Sequence, residues 1–244
     1  MKTYFKSAAS LLVSTLILIG CGGGGGGGSS ASTSITPAVF NYKSASVALH
    51  NTGQSVNFAA TQTGTASCNG SGAITVSPAT TATTFYVTPS QGISAFMATS
   101  TINLNWSNCT PATTTISEID YFDASSLLPR GFSTNNGFGV FLNPPAYPST
   151  VAAGETGTIG TMNLYTDSTE SVSLGYSDWS YSVVAGSSAN AVLITITAQT
   201  YNSSNVLIET VSTAGQLTSS GTLTIQSETI QNLQTGNVVT LTAS

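Results

Sequence analysis

Charge is what this chain has least of. Charged residues make up 5% of its 244 positions, against about 25% in an ordinary globular domain. Only four are basic and nine are acidic. That excludes a nucleic-acid binder, because neutralising phosphates needs a basic footprint. It also excludes electrostatic adhesion to an anionic membrane surface. Histidine is scarcer still, with His50 the single example. The common zinc patterns are therefore out of reach, and no G-x-S-x-G or S-x-x-K motif supports a serine nucleophile. His50 ends an alternating run ahead of Asn51, Thr52 and Gly53, which reads as a strand end with a surface or turn histidine. Long apolar runs are missing too. Residues 7–20 are uncharged, but about fourteen residues fall short of the roughly 20 that a transmembrane helix needs. Seven glycines at 22–28 are followed by no Lys-Ser/Thr pair, so they do not form a phosphate cradle. No cofactor is expected.

In place of charge the chain carries Ser and Thr, at roughly three residues in ten, well above ordinary usage. Thr is β-branched and polar, which suits the wet face of a strand. Alternation of period two recurs along the chain. Ile102, Leu104 and Trp106 alternate with Asn103, Asn105 and Ser107, and Val56, Phe58 and Ala60 with Asn57 and Ala59. Trp179, Tyr181 and Val183 follow the same rule, as do Leu223 and Ile225. This is the mark of half-buried strands. Helical spacing is not expected anywhere after the first twenty residues. The fold class is all-β, an antiparallel sandwich or open-barrel-like meander, with two β halves as a further option.

The N-terminus supplies an address. Lys2 and Lys6 precede the uncharged stretch, and Leu18, Ile19, Gly20 and Cys21 close it. This segment resembles a type II bacterial signal peptide with its lipobox. The poly-glycine tether after the cysteine is similar to that of Gram-negative envelope lipoproteins. The resemblance implies removal of residues 1–20 and acylation of Cys21, with two or more chains giving stable anchoring. Gly22, rather than Asp, after the cysteine implies passage to the outer membrane. Lys43 and Arg130 are then the only basic side chains against nine acidic ones, a formal charge of −7. Residues 21–36 form a lipidated cysteine and flexible tether with an r.m.s. reach of roughly 20 Å.

The remaining chain divides into an N-terminal β half at 37–130, an irregular seam at 131–153 and an antiparallel β meander at 154–244. Cys68 and Cys109 are left after lipidation and, in an oxidising compartment, form a disulfide. Such a loop is worth about 4 kcal/mol in the chain-entropy account. Arg130, Phe132, Phe138, Phe141 and Tyr147 gather around the seam and form a candidate binding surface for a peptide or glycan, with core packing as the plainer reading. Glu118, Asp120 and Asp123 are a candidate calcium site, although calcium wants six to eight oxygens. The four Asn-x-Ser/Thr sequons, starting at Asn69, Asn105, Asn108 and Asn202, read as composition in a bacterial chain. The leading function is non-enzymatic: a membrane-anchored envelope lipoprotein that binds or scaffolds an envelope protein or glycan. Two alternatives stand beside it, a carrier of a lipid or other apolar ligand inside a curved sheet, and a glycan-acting enzyme using paired carboxylates.

Overall fold

Thirteen strands follow one short helix in the computed structural model, which describes residues 38–244. The segments expected to be a signal peptide at 1–20 and a lipidated Cys21 with its tether at 21–36 lie outside the described residues. The strands are β1 (Gln54–Thr63), β2 (Cys68–Val76), β3 (Thr81–Thr88), β4 (Gln91–Trp106), β5 (Thr113–Asp123), β6 (Pro129–Thr134), β7 (Gly137–Val140), β8 (Thr156–Tyr165), β9 (Ser173–Ala185), β10 (Ala191–Asn202), β11 (Leu207–Thr218), β12 (Leu223–Asn232) and β13 (Asn237–Ala243). Every pairing between them is antiparallel, and most join consecutive strands through short turns. Two longer-range pairings close the sheet. β1 pairs with β13, and β2 skips β3 to pair with β4. The result is a closed twelve-stranded barrel with β3 as an extra strand. Closure removes the sheet edges that an open meander would expose.

Alternation sorts the side chains as the sequence implies. Val56, Phe58, Ile74, Ile102, Leu104, Trp179, Ile194, Ile196, Leu217 and Ile225 point inward and are buried in one continuous cluster. The outer face is a hydroxyl carpet. One row runs around eight strands in register: Thr158, Ser180, Thr197, Ser212, Thr229, Thr240, Thr61 and Asn69. Thr and Ser hydroxyls on neighbouring strands bond to one another, as Thr197 and Ser212 do at 3.3 Å. Such cross-strand pairs contribute roughly 0.2–1 kcal/mol each. Ser and Thr thus solvate the barrel without charge.

Two expectations need correction. The first is the absence of a helix: α1 occupies Tyr42–Thr52. Its buried residues are Tyr42, Ala45, Ser46, Leu49 and His50, the i, i+3, i+4, i+7, i+8 stripe of an amphipathic helix. Ser and His within the stripe hide it from an apolar-residue count. Gly53, at φ +64°, ends the helix and donates its N–H to the Leu49 carbonyl. The helix contacts β12 on one side and lays the His50 ring against Phe122 of β5 on the other, centroids 4.2 Å apart. β5 and β12 are not neighbours in the ring, so α1 crosses the barrel interior at the end where β1 begins.

The second correction concerns the seam at 131–153. β6 and β7 run through its first part, and β7 pairs with β8 to carry the sheet onward. The irregular stretch is residues 141–155, which folds over the same end as α1. Phe40 bridges to Val151, and the Lys43 N–H reaches the Ser149 carbonyl. The sheet therefore runs without a break from one expected half into the other.

The Cys68–Cys109 disulfide is present, with Cα atoms 5.7 Å apart. It lies beside the Gly70–Trp106 pair, where β2 meets β4, so it staples the ring at its closure.

β3 and the first part of β4 form a hairpin that folds onto the outer face of β5–β7. Phe85 of β3 stacks on Tyr121 at 4.5 Å and packs against Phe138 at 5.5 Å. Gly131 makes room for this, since a Cβ there would meet the Phe85 ring. Phe85, Val87, Ala95, Phe138 and Val140 form a second, smaller core outside the barrel.

Candidate functional site

The five residues gathered around the seam do not form an exposed platform. Phe132 points into the barrel, where its ring fills the space that a Cβ on Gly139 would need, beside Met162. Phe141 is 1% exposed and meets Trp179 edge-on at 5.5 Å. Tyr147 stacks on Tyr42 of α1 at 6.1 Å. Burial, with Tyr42 nearby, pushes its phenol well above the usual range. Phe138 faces the other way and is covered by Phe85. Arg130 is buried too. Its Nη1 lies 4.0 Å from Asp123 Oδ2, and its Nη2 donates to the Phe141 carbonyl at 3.3 Å. The candidate binding surface is thus core, because β6 and the irregular stretch after β7 turn three of these rings inward and the β3 hairpin covers a fourth. Arg130 pins residues 141–155 to β6.

The three acids proposed for calcium are not gathered either. Glu118 and Asp120 share the inward face of β5, as the alternation implies. Asp120 accepts a hydrogen bond from Ser100 on β4. Asp123 turns away and caps the β5–β6 turn. Its Oδ1 accepts from the Ser125 and Ser126 N–H groups, both at 3.0 Å. Burial pushes this carboxyl up, but those backbone bonds and the serine hydroxyls outweigh it and hold its pKa low. Among the described residues, no three His, Cys, Asp or Glu side chains are placed to hold a metal ion.

The structure brings together groups that the sequence reading passed over. His50 is a buried helix residue, not a surface turn. Its Nε2 lies 3.3 Å from Ser46 Oγ, and burial pulls its pKa down to about 3. On the β11–β12 side, Glu209 and Glu228 both face inward, 4% and 1% exposed. Thr213, opposite Glu228 in the register, donates to its Oε2 at 3.2 Å. Glu209 stands opposite Thr200, which donates to Ser177 at 3.3 Å. Burial, reinforced for Glu209 by the neighbouring Glu228, raises both carboxyls to about 7. Arg130 is committed to Asp123, so neither glutamate is matched by that cation. The sequence did hold a signal for them. Glu209 lies in phase with Val211, Thr213 and Leu217, an acid on the apolar beat of a strand. Chemically, the pair can hold and release protons near neutral pH. Both carboxyls are buried inside the barrel.

These features define a closed antiparallel β-barrel, plugged at one end by its own helix and carrying a buried acid pair. No known family model matches the chain, and no curated protein does. Among solved structures, the crystal structure of a DUF1329 family protein from Desulfovibrio piger is similar at 9% identity and a TM-score of 0.29. The match covers 84% of this chain and 90% of that one.

Proposed function

We propose that this chain is a lipid-anchored protein of a bacterial envelope, held in the outer membrane by acylated Cys21, and that it works by binding or scaffolding through the outside of its barrel. The address in this reading rests on Leu18, Ile19, Gly20 and Cys21. The role rests on a single observation, that inward side chains from around the ring and from α1 are buried together. Tyr42 and Leu49 of α1 join Phe58, Phe122, Phe141 and Trp179 from around the ring in one buried cluster. A carrier would keep that volume for cargo. Recognition is therefore assigned to the outer face and the rims.

Mass spectrometry of protein extracted from envelopes tests both parts. The intact mass should show a chain beginning at an acylated Cys21. A soluble form with an unmodified N-terminus would remove the address. Native mass spectrometry should show no stoichiometric lipid beyond the covalent chains. A bound lipid released only on unfolding would favour the carrier reading.

A further inference from the structure

Among the described residues, β3 is the one strand with no strand bonded to its second edge. β3 bonds to β4 along its length, from the Thr81–Met97 pair to the Thr88–Gln91 pair. Among the described residues, no strand and no loop bonds to its other edge. Such an edge is a template for another strand, and natural proteins guard it with charge, proline, bulges or extreme shortness. Here the guards are missing from Thr81 to Tyr86. That stretch has no charge, Pro78 and Pro89 stand outside the strand, and the register shift comes only after Tyr86. The strand is also held from behind, because Phe85 and Val87 are buried in the outer core. An edge fixed in this way loses little freedom when it pairs.

We propose that this edge pairs with the same edge of a second copy, so that two barrels join through an antiparallel β3–β3 contact about a two-fold axis. The charge distribution selects this occupant. All nine acidic residues lie at Glu118 or beyond, and the chain carries no charged side chain between Lys43 and Glu118. Two copies of a strongly acidic protein repel each other on most approaches, but an approach through the β3 hairpin brings uncharged strands together. The nearest charges to the hairpin, Asp123 and Arg130, face each other. The side chains are also self-complementary. The outward row of β3 is Ala82, Thr84 and Tyr86, with Tyr86 49% exposed. Antiparallel pairing keeps like faces together. With the axis at Thr84, Tyr86 of each copy lies over Ala82 of the other, large against small. A two-fold contact of this kind closes on itself and stops at a dimer. It does not depend on the lipid anchor.

The test uses two differently tagged full-length copies expressed together, with co-capture measured from a detergent extract. Wild-type copies should capture one another. Thr84→Lys places two ammonium groups at the axis and should lower co-capture at least tenfold, and Thr84→Glu should do the same. Thr84→Lys mixed with Thr84→Glu should recover it. Thr115→Lys, on the outer face of β5, should leave it unchanged. Far-UV circular dichroism of each variant should match the wild type. Absence of wild-type co-capture overturns the proposal. So does capture that survives Thr84→Lys, which would point to shared micelles or another surface. Failure of the opposite charges to restore pairing overturns it as well.

Discussion

At the scale of single residues, the barrel interior holds groups whose titrations pull in opposite directions. His50 is held neutral, its pKa drawn from the ordinary 6.5 to about 3 by burial. As pH falls below 6.5 the unfolded chain takes up a proton that the folded one refuses, so stability is lost toward pH 3. Glu209 and Glu228 are held protonated, raised from 4.5 to about 7. Below pH 4.5 they cost nothing. As pH rises toward 7 the unfolded chain releases protons that the folded one keeps, and stability falls again. Two glutamates outweigh one histidine where the windows overlap, so stability should peak in mildly acidic solution, near pH 5, and decline on both sides. Thermal melts across pH check this directly. Glu228→Gln removes one of the two alkaline losses, and by the size of its shift should stabilise the protein at pH 8 by about 3 kcal/mol while changing little at pH 4. A variant that gains equally at both pH values would show that Glu228 is not held protonated. The same scale explains why the candidate site was misread. Arg130, Phe132, Phe138, Phe141 and Tyr147 are visible in sequence as a cluster around one stretch, but two of them are covered by α1 and the β3 hairpin, which come from distant parts of the chain.

At the scale of elements, the strands were readable and the closures were not. Alternation at Val56, Phe58 and Ala60, or at Ile102, Leu104 and Trp106, is local, and the strands β1 and β4 follow from it. The C-terminal meander follows from short polar turns between β10 and β13. Helix α1 was missed because two of its five buried positions, Ser46 and His50, are polar. The β1–β13 and β2–β4 pairings were missed because neither leaves any local trace. They join segments whose sequence patterns also suit an open sheet. The two leftover cysteines were the nearest thing to a clue, since their bond lies where β2 meets β4. Replacing both, Cys68→Ser with Cys109→Ser, should cost about 2–4 kcal/mol. The loss should be local at first. Hydrogen exchange should accelerate in β2 more than in β11, which lies far from the staple. Equal acceleration in both strands would mean that the disulfide stabilises the whole barrel without guarding its closure.

At the scale of the whole molecule, two β halves and one barrel make different demands on unfolding. Halves with separate cores can melt separately. A ring in which β1 bonds to β13 and β7 bonds to β8 has no place to divide, because opening either pairing exposes strand edges on both sides. Its core is also shared: α1 from the N-terminal part contacts β12 from the C-terminal part. One cooperative transition is therefore expected. The chain carries the probes for this test, because its two tryptophans fall one in each expected half. Trp106 lies in β4 and Trp179 in β9, and both are buried. Trp179→Phe leaves a reporter in the first half, and Trp106→Phe leaves one in the second. Each variant is unfolded in urea and followed by fluorescence and by far-UV circular dichroism on the same sample. Comparing probes within one variant removes any change in stability that the substitution itself causes. The two midpoints should coincide in both variants. If the fluorescence midpoint departs from the circular dichroism midpoint, and does so in opposite senses in the two variants, the halves unfold independently. The β1–β13 and β7–β8 ladders would then be too weak to make this chain a single cooperative barrel.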